Sequence, residues 1–396
     1  MPTSYRVGII GCGNIAQRHA KAYQSVPGLD LVAGAEPHAG AARAFRQTFA
    51  IPAMYADPEE MLRRESLDVV SICTWHLLHP PQTVLASERG VKAVLCEKPM
   101  AVSLSDADRM IAACAARGVK LAIGHQRRFY PAWTEARRLI GQGAVGQPVL
   151  ATGHVIDGLL NTGSHVVDGA RYLLGDPKAE WVMGAVERKT DRWERDVPIE
   201  DCCLGLVAFA GGAQALIQVD LTARNEPDEF TVQGTEGVLR VGPDHLRRIS
   251  AIRTDREARQ MLWDAETAYA ARKVGLEGAF YIAYVAQARA LKAWLDEGGD
   301  YRSDGAQTRH AVELMMALYQ SARNHEVVRL PLAEQDYPLS LMLAEGKLPL
   351  RYPERYDIRG PERRAWAHRE AYDRLRAAGL PHPQIVAEIF KKHPTP

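Results

Sequence analysis

The glycine pattern near the N-terminus constrains the fold of this chain more than any other stretch. The segment VGIIGCGNIA, which starts at residue 7, places G-x-G-x-x-A where an apolar strand ends and a helix begins. Gly11 permits the tight turn, Gly13 lets the backbone approach a pyrophosphate, and Ala16 lets the helix lie close to the strand. The first helical residues, Asn14 and Ile15, offer free N–H groups to phosphate oxygens. The pattern therefore predicts a dinucleotide-binding turn, with a bare structural turn as the alternative.

The remainder of residues 1–124 supports that prediction. Short β-branched runs lie at 6–10, 31–35, 69–73, 93–96 and 120–123, with helical stretches at 14–24, 39–49, 58–64, 81–89 and 105–117. Continuous apolar strands separated by helices imply a parallel sheet that is covered on both faces. We therefore expect a doubly wound, Rossmann-type α/β domain over residues 1–124.

Residues 125–332 follow a different rhythm. Strand-like segments follow one another at 148–156, 181–187, 203–209, 213–221, 230–234, 238–241 and 327–332, and a Gly-Gly pair at 211–212 signals a hairpin. Helical periodicity occurs at 164–174, 278–295 and 306–322. We expect an α+β domain with a large, mostly antiparallel, open-faced sheet.

Residues 333–396 change character again, because they are rich in proline, arginine and tyrosine. We expect an arm that packs on its own body or on a neighbouring subunit, with helical stretches at 362–377 and 384–392. A partly mobile tail is the alternative.

The bulk composition excludes several classes of protein. A formal net charge of +1 over 396 residues argues against nucleic acid or an anionic membrane as the main partner. No apolar stretch approaches the ~20 residues that a transmembrane helix needs. The chain begins without the features of a secretory signal, and its six cysteines show no metal-ligand spacing. We therefore expect a cytoplasmic protein without a metal.

Glu36 stands where the second strand ends. A carboxylate there would accept hydrogen bonds from the adenosine ribose hydroxyls and repel a 2′-phosphate, so NAD is favoured over NADP. NADP stays possible, because Arg43 lies downstream on the next helix. The alternative is a surface glutamate at a strand end.

The tripeptide Glu97-Lys98-Pro99 follows the run at 93–96, which we take as the fifth parallel strand. In doubly wound sheets the ligand crevice lies outside the carboxyl ends of the strands. Glu97 and Lys98 are therefore expected beside the cofactor, where Lys98 would shuttle a proton. An arbitrary surface Lys-Pro is the alternative.

Together these motifs resemble the glucose–fructose oxidoreductase / inositol dehydrogenase / rhizopine catabolism (Gfo/Idh/MocA) family. The likeness includes the segment GSHVVD at 163–168, Arg128-Phe129 at the domain junction and VRLPL at 328–332, and it extends over roughly residues 5–332. It implies a Rossmann domain plus an open-faced α/β domain whose sheet often forms a homodimer or homotetramer interface. It also implies redox chemistry on a secondary alcohol or ketone of a cyclic polyol, sugar or glycoside.

Members of this family commonly carry D-x-x-x-H, and the matching positions here are Asn161 and His165. Asparagine can bind a substrate hydroxyl but cannot stabilise an imidazolium by charge. The general base is then either Lys98 assisted by His165, or His165 oriented by Asp168. The resemblance assigns Lys98, Asn161 and His165 to catalysis, and these three with Arg128 to substrate binding.

The loop after the fourth strand supplies the remaining expected cofactor contacts. Thr74 and Trp75 follow that strand, Trp75 could stack against the cofactor, and His79 is expected to fix the loop. The H-x-x-H spacing from His76 invites a metal site, but no acidic or cysteine partner pattern accompanies it.

A polar stretch at 188–196 separates two strands of the second domain. Trp193 within it could offer a stacking face to a sugar ring at the substrate entrance. We favour a solvated loop with one tucked aromatic.

The expected function is hydride transfer between NAD and a cyclic polyol, sugar or glycoside. One alternative is an epimerase, lyase or glycosidase that retains NAD and oxidises its substrate transiently. The other is a non-catalytic regulator that senses the cofactor, although the presence of Lys98 and His165 counts against it.

Overall fold

The computed structural model describes residues 4–221, 229–250, 256–260 and 262–358, with single residues at 371, 374, 378 and 388. The helical stretches expected at 362–377 and 384–392 lie outside the described ranges.

The N-terminal part forms the expected parallel sheet with helices on both faces. Its elements are β1 (Tyr5–Ile10), α1 (Asn14–Ser25), β2 (Leu29–Ala35), α2 (Ala39–Phe49), β3 (Ala53–Tyr55), α3 (Pro58–Arg64), β4 (Val69–Ile72), α4 (His79–Glu88), β5 (Ala93–Cys96), α5 (Leu104–Ala115) and β6 (Lys120–Ile123). The strand order is β3-β2-β1-β4-β5-β6, and every pair is parallel. The Rossmann prediction is confirmed, and the short edge strand β3 is the element that the apolar runs did not indicate.

Local sequence explains where these elements begin. Every residue of β4 and of β5 is buried, as expected for strands covered on both faces. Asp57 caps α3 by accepting the N–H of Glu60 at 2.8 Å, and Ser103 caps α5 through the N–H of Asp106.

The second part begins after a 3₁₀ turn at Gln126–Phe129. Its elements are α6 (Pro131–Gly141), β7 (Pro148–Val155), a π-helical turn (Gly158–Gly163), α7 (Ser164–Leu173), β8 (Ala179–Glu187), β9 (Thr190–Glu194), β10 (Val197–Pro198), β11 (Cys202–Phe209), β12 (Gln214–Val219), β13 (Phe230–Gly234), β14 (Gly237–Val241), β15 (His245–Ser250), β16 (Arg256–Gln260), α8 (Ala265–Lys273), α9 (Ala279–Glu297), α10 (Gly305–Asn324), β17 (Val328–Arg329), α11 (Pro338–Ala344) and β18 (Tyr352–Asp357).

Nine of these strands form one sheet in the order β16-β15-β14-β13-β7-β12-β11-β8-β17. The pair β7–β12 is parallel and the other neighbours are antiparallel, which confirms the predicted large, mostly antiparallel sheet. The helix α10 packs closely on β8, where Gly184 leaves no room for a Cβ against the carbonyl of Leu318.

The stretch at 188–196 is not the solvated loop that its polarity suggested. Residues 190–194 form β9, which pairs with β10 and, in parallel, with β18 from the C-terminal segment. Arg188, Arg192 and Glu194 are buried in this three-stranded sheet. The loop prediction was wrong because the strand partner lies about 160 residues further along the chain.

The helix α9 packs on the Rossmann part, although its position in the sequence placed it in the second domain. Its Tyr284 lies against His19 of α1, with ring centroids 5.5 Å apart, and Val285 and Leu291 join the apolar cluster of β1 and α1. The sequence boundary at residue 125 therefore does not separate the two packing units in space.

Candidate active site

The glycine turn after β1 has the geometry of a phosphate-binding turn. Gly11 has φ +83°, and a Cβ on it would lie 2.8 Å from Cγ2 of Thr74. Gly13 has ordinary extended backbone, and a Cβ on it would meet no described atom within 4 Å. Neither strain nor protein packing requires glycine at 13, whereas a ligand pressed against the start of α1 would. The turn therefore fits the pyrophosphate of a dinucleotide.

Glu36 is held beside this turn by two main-chain N–H groups. Its Oε2 accepts the N–H of Cys12 at 2.9 Å, and its Oε1 accepts the N–H of His38 at 3.0 Å. The carboxylate is thereby fixed at the carboxyl end of β2, and it retains lone pairs for hydroxyl donors. A cleft of about 410 Å³ opens next to it and is lined by Gly13, Asn14 and residues of α2.

The segment after β4 contains a buried histidine, His79, and an exposed tryptophan, Trp75. The His79 ring lies between two main-chain carbonyls, with Nδ1 2.8 Å from Pro99 O and Nε2 3.2 Å from Thr74 O. Burial lowers the pKa of His79 below its ordinary value. Because its side chain has no exposed surface, His79 holds the loop against the Lys98–Pro99 segment instead of touching a cofactor. Trp75 is 50% exposed on the same loop.

Glu97, like His79, is buried and makes its contacts with groups of the protein. Its Oε1 lies 2.9 Å from Nε2 of His19, whose Nδ1 lies 3.0 Å from the hydroxyl of Ser71. Burial raises the pKa of Glu97, but the hydrogen bond with His19 and the charges of His19 and Lys98 outweigh it, so the pKa is lowered overall. A Cβ at Gly124 would lie 2.7 Å from this carboxylate, so a side chain there would disturb it.

Lys98 and Asn161 meet across the two parts of the chain. Nζ of Lys98 lies 2.8 Å from Oδ1 of Asn161 and 3.3 Å from its main-chain oxygen. Because an ammonium can only donate, the amide oxygen must face Lys98 and the amide nitrogen must face away. Nδ2 of Asn161 is buried and has no hydrogen-bond partner within the described residues. The N–H donors of this amide are therefore unsatisfied within the described residues.

His165 stands one helical turn after Asn161, in the first turn of α7. Its side chain is buried, and its Nδ1 has no hydrogen-bond partner in the described part of the chain. Burial lowers the pKa of His165 well below its ordinary value, and the positive charges of Arg127 and Lys98 lower it further. The imidazole is therefore neutral near pH 7 and can either donate or accept a hydrogen bond.

Arg128 and Asp168 form a buried ion pair. Arg128 binds both carboxylate oxygens of Asp168, at 2.7 and 2.8 Å, and it also donates to Asp176 and to the carbonyl of Arg302. All five of its N–H groups are thus engaged, so the expectation that Arg128 binds substrate does not fit. Asp168 likewise does not orient His165.

Asp168 instead lies 3.6 Å from Nδ1 of His125, and the His125 ring meets the His165 ring edge-on at a centroid distance of 5.5 Å. Burial raises the pKa of Asp168, but the positive charges of Arg128 and His125 outweigh it, so the pKa is lowered overall. The alternative in which Asp168 orients His165 therefore has no support in the contacts of Asp168.

Arg127 is the residue that the sequence analysis missed. Its positive charge is the largest charge effect at His165. In a 3₁₀ turn successive side chains point about 120° apart, so Arg127 and Arg128 point to different surroundings. Only one of two adjacent arginines in such a turn can face the site. Recognising the turn at Gln126–Phe129 from the sequence would therefore have made Arg127 a candidate beside Arg128.

The described residues contain neither a metal-binding cluster nor a membrane-spanning helix. No set of three or more His, Cys, Asp or Glu side chains in them is arranged to hold a metal ion. None of the described helices is long and apolar enough to cross a membrane.

Comparison with known proteins gives matches along most of the chain. Residues 5–125 match the GFO_IDH_MocA model, described as an oxidoreductase family with an NAD-binding Rossmann fold, and residues 137–330 match the C-terminal alpha/beta domain of that family. Similar curated proteins include a D-apiose dehydrogenase of Paraburkholderia graminis, which is 28% identical over 86% of this chain and 94% of the relative. The scyllo-inositol 2-dehydrogenase (NAD(+)) of Bacillus subtilis is 28% identical over 63% of this chain and 78% of the relative.

Among solved structures, levoglucosan dehydrogenase in complex with NADH and levoglucosan has a TM-score of 0.73 at 22% identity. That match covers 83% of this chain and all of that one, and it shows that the two proteins share a fold. Residues 331–396 lie beyond both family domains.

Proposed function

The chain belongs to the Gfo/Idh/MocA family of NAD-binding oxidoreductases, and we propose that it transfers a hydride between NAD and a secondary alcohol or ketone of a cyclic polyol, sugar or glycoside. The observation that carries the proposal is the contact of Lys98 with Asn161, which leaves the buried amide nitrogen of Asn161 directed away from the lysine. The relatives named above act on substrates of this class.

The site supplies the groups that such a reaction needs. The glycine turn and Glu36 would hold NAD, which would supply the acceptor or donor of the hydride. In the oxidation direction Lys98 takes the proton from the substrate hydroxyl, and in the reduction direction it returns that proton. Asn161 holds Nζ of Lys98 through its oxygen and donates from Nδ2 to a substrate oxygen. This fixes the reacting carbon close to the cofactor, as hydride transfer requires.

His165 and Arg127 complete the substrate contacts in this proposal. A neutral, buried His165 binds a substrate hydroxyl through its ring nitrogens without adding charge. Arg127, whose charge acts on His165, donates to further hydroxyl oxygens. Trp75, being half exposed beside the glycine turn, covers the cofactor. No observation favours the transient-oxidation or regulatory alternatives, and Lys98 and His165 meeting in one site counts against a regulator.

We further propose a homodimer or homotetramer that forms through the nine-stranded sheet. The face of this sheet that α10 does not cover exposes Met183 on β8 and Leu204 on β11, since the neighbouring Gly184 and Gly205 face Leu318 of α10. A cytoplasmic location is part of the proposal, in keeping with six free cysteines.

The proposal is tested by incubating the protein with NAD, or with NADP, and a panel of inositols, aldoses and glycosides while absorbance of the reduced cofactor is recorded. We expect reduction with at least one compound and a preference for NAD. Tight binding of NADH without turnover of any compound, in either direction, would refute the proposal.

A further inference from the structure

The turn that carries Asn161 begins with an unusual backbone. Asp157 and Gly158 both have positive φ, +76° and +83°. Such a conformation costs free energy for a residue with a side chain, so surrounding contacts must hold it. Because Asn161 lies three residues after Gly158, the position of its amide depends on the backbone conformation of Asp157 and Gly158.

Two carboxylates accept hydrogen bonds from three successive main-chain N–H groups where the turn begins. Asp220 accepts the N–H of Asp157 and the N–H of Gly158, one on each oxygen, both at 2.9 Å. Glu200 accepts the N–H of Leu159 at 2.6 Å. Carboxylate–amide hydrogen bonds of this kind are stronger than bonds between neutral groups.

Arg192 ties the carboxylate of Asp220 to the backbone of Glu200 and Asp201. Its Nη1 lies 2.9 Å from Oδ2 of Asp220, 2.9 Å from the main-chain oxygen of Glu200 and 3.1 Å from that of Asp201. The other oxygen of Glu200 accepts the hydroxyl of Tyr319 at 2.5 Å. Glu200 and Arg192 are buried, so these bonds are shielded from water.

Arg192 in turn depends on a strand beyond the family domains. It lies on β9, and β18 pairs with that strand so that Tyr356 stands opposite Arg192. Residues 352–357 therefore hold the strand from which Arg192 reaches the turn.

We propose that Asp220 and Glu200, joined by Arg192, are positioning residues that fix the turn so that the Asn161 amide meets Nζ of Lys98. This inference rests on the proposed function of Lys98 and Asn161. Neither carboxylate touches substrate in this account. Each acts through the backbone of residues 157–159.

An amide side chain could replace the hydrogen bonds of Glu200 but not those of Asp220. At Asp220 the three groups that approach are all donors, from Asp157, Gly158 and Arg192, so the NH₂ of an asparagine would oppose at least one of them. At Glu200 a glutamine could accept the N–H of Leu159 and donate to the Tyr319 hydroxyl, because a hydroxyl can also accept. Asp220→Asn and Glu200→Gln remove the same charge with different structural results.

The test compares these two variants with Glu313→Gln. Glu313 is another buried carboxylate that accepts a main-chain N–H, that of Leu332, and it has no hydrogen bond to the turn among the described residues. We expect Asp220→Asn to lower kcat roughly 10- to 100-fold with unchanged Kd for NADH, because small misplacements of a catalytic group have effects of this size. Glu200→Gln and Glu313→Gln should retain kcat, and Glu200→Ala should lower it.

Hydrogen exchange of the peptide that covers residues 155–163 provides a readout without turnover. Amide exchange there should accelerate in Asp220→Asn and in Glu200→Ala, and it should stay at the wild-type rate in Glu200→Gln and Glu313→Gln. Wild-type exchange rates in both Asp220→Asn and Glu200→Ala, or a wild-type kcat in both, would overturn the positioning role.

This design keeps the inference separate from the proposed function. If the wild type reduces NAD with no compound of the panel, the function fails, and the exchange rates alone still decide the positioning role. If Asp220→Asn does not fold, Arg192→Lys takes its place. A lysine keeps a charge beside Asp220 but cannot bridge the carbonyls of Glu200 and Asp201, so the same peptide should exchange faster. An unchanged exchange rate in that variant would overturn the role.

Discussion

Nζ of Lys98 and Oδ1 of Asn161 lie 2.8 Å apart, although 63 residues separate them in the chain. One stands at the carboxyl end of β5 and the other in the turn before α7, so the contact joins the two parts of the chain at the cofactor crevice. An asparagine here accepts from the lysine without adding a charge. This neutrality has a measurable consequence.

Replacing Asn161 by aspartate should move the pH profile of substrate oxidation. A carboxylate next to Nζ favours the ammonium form, whereas a proton acceptor must be the neutral amine. We expect the alkaline rise of kcat to move to higher pH by about one unit or more. Asn161→Ala should instead lower kcat about 10- to 100-fold, since the orienting amide is lost. An Asn161→Asp profile that superimposes on the wild-type profile would contradict this role.

Glu36 should decide the choice between NAD and NADP. Its carboxylate is fixed by the N–H groups of Cys12 and His38 and carries the negative charge that would meet a 2′-phosphate. We expect Glu36→Gln to raise the ratio of kcat/KM for NADP to that for NAD about tenfold, because the repulsion is removed. Glu65→Gln, which changes a carboxylate paired with Arg6 in the same domain, serves as the control. Equal ratios in all three proteins would exclude Glu36 from the ribose site.

The buried histidines should make the protein less stable in mild acid. The folded-state pKa of His165 lies well below the ordinary 6.5, chiefly because of burial. As the pH falls below 6.5, His165 binds a proton in the unfolded chain but stays neutral in the folded chain, so the free energy of unfolding decreases. Above 6.5 both states are neutral and the effect disappears.

The measurement is urea unfolding between about pH 8 and about pH 5, with His165→Gln as the variant. We expect the variant to have the shallower dependence, by at most about 1.4 kcal/mol per pH unit. Burial also lowers the pKa of His125, so the free energy of unfolding of the variant should still depend on pH to some extent. Identical slopes for wild type and variant would show that His165 titrates alike in the folded and unfolded states, contrary to this account.

Patterns local in the sequence predicted most of the fold. The runs at 93–96 and 120–123 and the helices at 39–49 and 58–64 match the structure residue by residue, because burial on both faces and capping residues mark them. The glycine turn and Lys98 were located for the same reason. Each depends on residues close together in the chain.

What escaped prediction depends on residues far apart in the chain. Whether Arg127 or Arg128 faces the site depends on Asp168 and Asp176, which take up the donors of Arg128. The strand β9 is recognisable only through β18. Asp220 directly follows β12 and has φ +57°, and no local pattern connects it to the turn at 157–159.

The central claim is that Lys98 moves the proton during hydride transfer. The most direct measurement uses a substrate identified in the panel and labelled with deuterium at its carbinol carbon. Mass spectrometry of the reduced cofactor then reports the transfer in wild type, Lys98→Met and Lys92→Met. Lys92 is an exposed lysine paired with Asp68 and serves as the matched control.

We expect the label in the cofactor with wild type and Lys92→Met. Transfer by Lys98→Met should be slower by about 100-fold or more, while NADH binding, followed by fluorescence, is retained. Transfer of the label by Lys98→Met at the wild-type rate would contradict the claim.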